Sequence, residues 1–144
     1  MEEPKFWLSD EDYKNIFSKV PRVCIDLLIK DSSGRILLSL RNIEPYKGLW
    51  HLPGGMIYKG ESMEDAAARI ALKETGLIVK FEKVLKVGEL LEENRIDYTQ
   101  HVILLITEVT VIEGELKKDF QSSELSFFDS APDNTIPVYK QVFI

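Results

Sequence analysis

Residues 52–77 read LPGGMIYKGESMEDAAARIALKETGL. A short apolar segment is halted by Pro53, Gly54 and Gly55, and a helix with signals at both ends follows. Ser62 suits the N-cap, Asp65 three residues on completes a capping-box-like pair, and Gly76 stands where a left-handed C-terminal residue is wanted. The spacing predicts a helix over 63–75. At 100° per residue Met63, Ala67, Ile70 and Ala71 form one apolar stripe, and Glu74 falls inside it. Neither burial nor the helix dipole favours a negative charge in that last turn, so a cation is expected beside it. The alternatives are a metal ligand, a buried ion pair, or a frayed stripe that lets Glu74 reach solvent. A Gly-Gly turn ahead of the helix lets backbone approach a ligand closely and offers a carbonyl to a hard cation.

Around this stretch, 9–19 reads as a short N-terminal helix and 23–30 and 35–40 as strands. The DSSG turn between those strands predicts that they pair antiparallel. A brief strand LWHL comes next, then the helix, then β-rich segments at 81–91, 100–112 and 125–129, with a short terminal helix expected near the end. Strands, one inserted helix and more strands predict an α+β fold with a mixed sheet covered by helices, in a single domain spanning 1–144.

The 144 residues carry 18 basic and 24 acidic side chains, a net charge of −6 with the cations scattered, which argues against nucleic acid as a partner. No apolar run approaches a membrane span and no export signal is visible, so no membrane partner is expected. The single cysteine, Cys24, sits in an apolar setting and fits the reducing cytoplasm.

The pattern in 55–77 resembles the Nudix box, G-x5-E-x7-R-E-U-x-E-E-x-G-U with U a bulky aliphatic residue. Gly55, Glu61, Arg69, Glu74, Gly76 and Leu77 fall in register with it. The resemblance implies an α/β/α sandwich with a central mixed sheet, Mg²⁺ or Mn²⁺ as cofactor, and hydrolysis of a nucleoside diphosphate linked to another group. Two glutamates of the box are replaced by Ile70 and Lys73, and lysine cannot ligate a metal while charged.

One branch of the superfamily keeps only the last glutamate. These are the GDP-mannose mannosyl hydrolases, which use one Mg²⁺ and cut the sugar carbon–oxygen bond. The likeness extends over WLSDEDY, VPRVCIDLLI, GRILLSLRN and GLWHLPGG, and in patches over DYTQHVIL and DFQSSELSFF. It implies metal ligation by the Gly54 carbonyl, Glu74 and Gln121, diphosphate binding by Arg41 and Arg69, and Asp26 near the reacting sugar. Met56 and Ser122 replace an arginine and a histidine of that branch, the latter its general base; Glu124 is the candidate substitute.

Each residue also has a plainer reading. Asp26 lies on the strand face opposite Val23, Ile25, Leu27 and Ile29 and so reads as a solvated or capped strand carboxylate, Arg41 as a surface arginine, and Gln121 and Glu124 as loop residues. Glu61 reads as the partner of Arg69, and His51 and His101 as satisfied sheet histidines. Trp7 and Tyr13 can stack on a nucleobase or pack in a core or dimer contact. Three functions fit: a single-metal hydrolase of a nucleoside diphosphate sugar, a pyrophosphohydrolase with Glu124 as base, or a nucleotide-binding module that has lost catalysis. A homodimer is expected from the resemblance.

Overall fold

The computed structural model describes residues 8–119 and 122–143. The elements are α1 (Asp10–Phe17), β1 (Arg22–Leu28), β2 (Ile36–Arg41), β3 (Trp50–His51), β4 (Gly54–Met56), α2 (Met63–Thr75), β5 (Leu77–Asn94), β6 (Thr99–Gly114), β7 (Ser122–Phe128) and α3 (Pro137–Lys140). The strands form two sheets. A mixed sheet runs β4-β1-β6-β5, with β1 parallel to β6 and its other pairs antiparallel, and an antiparallel sheet runs β3-β2-β7.

β1 shows why the layers form. From Cys24 to Ile29 every residue is buried, so both faces of the strand are covered. Ile25, Leu27 and Ile29 pack with Ala66, Ala67, Ile70 and Ala71 of α2. Cys24 and Leu28 pack on the other side with Trp50, Leu52 and the C-terminal residues Ile136 and Tyr139. A strand apolar on both faces is a central strand, and the antiparallel pairing expected of 23–30 with 35–40 is confined to the end next to the turn. β1 and β2 do not pair along their length; beside the turn the two arms are joined by an antiparallel bridge between Lys30 and Ile36 and by the bonds from Leu37 N–H to the Ile29 carbonyl (2.9 Å) and from Asp31 N–H to the Arg35 carbonyl (3.0 Å). The DSSG turn is real, but β1 takes β4 and β6 as neighbours while β2 takes β3 and β7.

α2 spans the predicted 63–75. The Ser62 side chain accepts from the Asp65 N–H (3.0 Å), and Gly76 caps the other end at φ 77°. Its buried face differs in detail: Ala66 and Thr75 join it, while Met63 is 41% exposed at the helix start. β5 and β6 run longer than 81–91 and 100–112 and form one hairpin with several register shifts. Their ends are charged and half-exposed, which hides them from a hydrophobic pattern. β7 likewise starts before 125, and α1 is a turn shorter than 9–19.

At Gly76 the left-handed backbone is compounded by crowding, because an added Cβ would lie 2.5 Å from the Glu115 carbonyl oxygen. At Gly34, φ 80°, nothing lies within 4 Å. Urea denaturation should show Gly34→Ala costing about 1–2 kcal/mol from backbone strain alone. Gly76→Ala should cost distinctly more, and equal costs would mean that the close approach to Glu115 is not present in solution.

Candidate active site

The site is built on the edge strand β4. The bonds from Leu27 N–H to the Pro53 carbonyl (2.8 Å) and from Ile57 N–H to the Val23 carbonyl (3.1 Å) fix the alternation of the β1–β4 ladder. Asp26 and Gly54 are therefore a non-hydrogen-bonded pair, with close side-chain positions and with the Gly54 amide groups turned to the open edge of the sheet. A Cβ at Gly54 would lie 2.0 Å from Asp26 Oδ1. Glycine is required there because the Asp26 carboxylate fills the space.

Glu74 reaches the same place from the last turn of α2. Its Oε2 accepts from the Gly54 N–H at 2.8 Å, so the stripe does not fray and the carboxylate faces inward. Burial, reinforced by repulsion from Asp119 and Asp26, pushes its pKa up to about 8 despite that hydrogen bond. Asp26 is not the solvated strand residue of the plainer reading. It is 3% exposed, its Oδ2 accepts from the Tyr139 hydroxyl at 3.0 Å, and burial pushes its pKa up to about 7.

Arg69 is held as a clamp. Its Nε and one terminal nitrogen donate to the two Glu61 carboxylate oxygens (2.7 and 2.9 Å), and the same nitrogen donates to the Met56 carbonyl (2.9 Å). The guanidinium lies 4.1 Å from the centre of the Tyr58 ring. Glu61 thus joins the loop before α2 to the helix itself. Ile70 is 2% exposed and packs 3.4 Å from where a Gly55 Cβ would stand, so that position serves the core.

Apart from Glu61, these groups line a cavity of about 290 Å³ together with Arg22, Arg41, Arg95, Lys73 and His51. The cavity joins Asp26, Arg41, Gly54, Arg69, Glu74 and Tyr13, all singled out from the sequence. Trp7 and Gln121 lie outside the described residues. Glu124 is exposed on β7 opposite Leu40 and is not among the residues lining the cavity. Ser122 is buried and hydrogen-bonds Ser39 across the β2–β7 pair, a packing contact.

Sequence reasoning missed Arg22, Arg95, Tyr139 and the position of His51. A signal for Arg22 existed: residues 22, 24 and 26 share one face of a strand, which places it beside Asp26. Arg95 is on the β5–β6 turn and Tyr139 on α3, and only the tertiary fold brings them here. His51 Nδ1 is bonded to the Leu52 carbonyl at 2.7 Å, which makes it the donor and leaves Nε2 unprotonated. Burial pushes its pKa down to about 4, so the ring is neutral.

The donors at the Gly54 turn suit a hard cation. Glu74, the edge-facing Gly54 carbonyl and the nearby Asp26 offer oxygen alone, and a raised carboxylate pKa marks a charge in need of compensation. Among the described residues no three acidic, histidine or cysteine side chains are grouped closely enough to hold a metal by themselves. Backbone, water and substrate oxygen would complete its shell.

The NUDIX domain model matches residues 20–133. The chain belongs to the Nudix hydrolase family. It is 33% identical over 132 residues to the low-salt glycan biosynthesis protein Agl8 of Haloferax volcanii, covering 89% of this chain and 83% of that protein. It is 39% identical over 109 residues to an ADP-ribose pyrophosphatase of Methanocaldococcus jannaschii, covering 76% of this chain and 62% of that one. The fold is similar to that of a MutT protein from Methanosarcina mazei Go1, with a TM-score of 0.72, 21% identity and coverage of 85% and 91%. A MutT Nudix hydrolase from Burkholderia pseudomallei is similar to the same degree, with a TM-score of 0.72, 25% identity and coverage of 86% and 95%. Nudix hydrolases generally use divalent metal ions, in keeping with the oxygen donors described above.

Asp26 and Glu74 bind protons more tightly in the folded protein than in the unfolded chain. Between their ordinary values, 3.8 and 4.5, and about 7 and 8, the native state holds the extra protons, so stability falls as pH rises through that window. In EDTA the melting temperature should be lower at pH 8 than at pH 5.5, and excess Mg²⁺ should narrow the gap. A melting temperature in EDTA that rises over this range would mean that the two carboxylates are solvated.

Proposed function

We propose that this Nudix hydrolase cleaves a nucleoside diphosphate sugar at the bond between the anomeric carbon and the glycosyl oxygen, with one Mg²⁺ or Mn²⁺. The observation that carries this is the convergence of Asp26, Glu74 and Gly54. Of the three helix glutamates of the Nudix box only Glu74 is left, Ile70 being in the core, and Asp26 is the buried carboxylate beside it. The similarity to a glycan biosynthesis protein supports a sugar-linked substrate.

Glu74, the Gly54 carbonyl and Gln121 would hold the cation, which would supply positive charge to offset that of the departing diphosphate. Arg41 and Arg69 border the diphosphate. The Nε atoms of Arg22 and Arg95 are buried without a hydrogen-bond partner among the described residues, and phosphate oxygens would satisfy them. Asp26, with its pKa near 7, takes the proton of the attacking water, and Tyr139 holds it in place. His51 Nε2 is a neutral acceptor at the cavity wall.

A second reading has support of its own. The similarity to an ADP-ribose pyrophosphatase favours water attack at phosphorus; Glu124, on β7 outside the lining of the cavity, is the base that the sequence offers for it. Hydrolysis in ¹⁸O-water of a panel of nucleotide sugars, nucleoside triphosphates and dinucleotides separates the two. Label in the released sugar, with turnover retained in Glu124→Gln, supports attack at carbon. Label in phosphate, with turnover lost in Glu124→Gln, transfers the proposal to the second reading. In either case Glu74→Gln should weaken Mg²⁺ binding, and unchanged affinity would remove Glu74 from the metal site.

No helix of the described residues is long and apolar enough to cross a membrane, and the proposed setting is the cytoplasm. We also propose a homodimer formed through β5. This strand ends the mixed sheet and carries exposed Leu85, Val87 and Leu91, a combination that invites pairing with another chain. Light scattering should give twice the 16.5 kDa chain mass, and Val87→Lys with Leu91→Lys should return it to one. A wild-type monomer at high concentration would refute the dimer.

A further inference from the structure

A second cavity, about 980 Å³, opens beside the first and shares Tyr13, Tyr46 and Arg95 with it. The two differ in charge. The first is lined by four arginines and Lys73 against Asp26 and Glu74. The second is lined by Asp10, Glu44, Glu92 and Asp97 against Lys14 and Arg95, and Lys14 is already paired with Asp97. Phosphate is drawn to the first and repelled by the second. A group covalently tied to a diphosphate and seated in the second cavity is therefore one without negative charge of its own, and the acidic rim offers acceptors to N–H donors.

Three tyrosines stand in its walls. Tyr13 comes from α1, Tyr46 from the loop after β2 and Tyr98 from the β5–β6 turn. One buried side chain sets three of the groups around the junction. Gln100, 1% exposed, accepts from the Tyr13 hydroxyl (3.5 Å) and from Arg95 (3.3 Å), and donates to the Tyr98 hydroxyl (3.2 Å). Tyr46 is held at φ 67°, a left-handed conformation that a bulky L-residue rarely adopts. The loop around it is closed by bonds from Gly48 N–H to the Arg41 carbonyl (2.8 Å) and from Leu49 N–H to the Tyr46 carbonyl (3.0 Å). Strain of this kind persists where surrounding contacts over-determine it, and it concentrates at ligand sites.

We propose that the second cavity is the nucleobase subsite: the base stacks on Tyr98 and Tyr46, Tyr13 borders it, and Arg95 at the junction meets the phosphate nearest the ribose. This rests on the nucleotide reading above and adds the orientation of the substrate, base toward the β5–β6 turn and reacting sugar toward Asp26. Gln100 is a positioning residue, since it acts through Tyr13, Tyr98 and Arg95.

Isothermal titration calorimetry with Mg²⁺ tests it, using ADP, GDP and UDP beside inorganic pyrophosphate as the probe that lacks a base. The wild type should bind at least one nucleoside diphosphate more tightly than pyrophosphate. Tyr98→Ala and Tyr46→Ala should each weaken that nucleotide about ten- to hundredfold, the range that loss of base–aromatic stacking produces, and leave pyrophosphate within about twofold. Tyr98→Trp should restore most of the loss. Nucleotide binding untouched by the alanine variants, or a loss shared equally by pyrophosphate, overturns the subsite and leaves the hydrolase reading standing. Wild-type protein that binds no nucleoside diphosphate overturns both.

Discussion

The hydrogen bond from the Gly54 amide to the Glu74 carboxylate joins the end of α2 to the edge of the mixed sheet, and the site depends on it. It places a negative charge at the C-terminal end of a helix, under cover, beside two further carboxylates. One backbone N–H does not balance that charge, which is why the Glu74 pKa rises. The space for it exists because Gly54 has no side chain and Asp26 lies where one would be. Three positions on three elements are thus mutually fixed, and their unresolved charge is relieved by protonation or by a cation.

Around that point the Nudix scaffold is kept while some of its usual carboxylates are not. Glu61 and Arg69 clamp the loop at 57–62 onto α2, with Tyr58 covering the guanidinium. This stiffens the backbone that delivers Gly54 and Met56. Ile70 faces the core against Gly55, and Ser122 is bonded to Ser39 inside the small sheet. Both have acquired packing roles. At the cavity the pKa values of Asp26 and Glu74 are both pushed up toward the neutral range, and the ring of His51 on the wall is neutral.

Much of this was legible in local sequence. The limits of α2 follow from Ser62 and Gly76, because capping bonds are made with residues three or four positions away. The inward Glu74 follows from helical periodicity for the same reason. The expected pairing of 23–30 with 35–40 holds only beside the turn, because a turn signal fixes only the turn; whether the strands stay together depends on what else pairs with them. The burial of Asp26 was misread because alternation along a strand says which residues share a face, and not whether a second layer covers it. Here Tyr139 on α3 does.

By itself the sequence determined the family, the glycine turn, the capped helix and the carboxylate on its inner face, all of them set by contacts within a few residues or by a spaced motif. Only the tertiary structure decided that Arg95 and Tyr139 reach the cavity of Asp26, that Glu124 stays outside it, and that three tyrosines from distant segments line a second one. Those facts depend on strand order, hairpin length and the path of the C-terminal segment. Such choices are made by packing between residues tens of positions apart, and no local pattern encodes them.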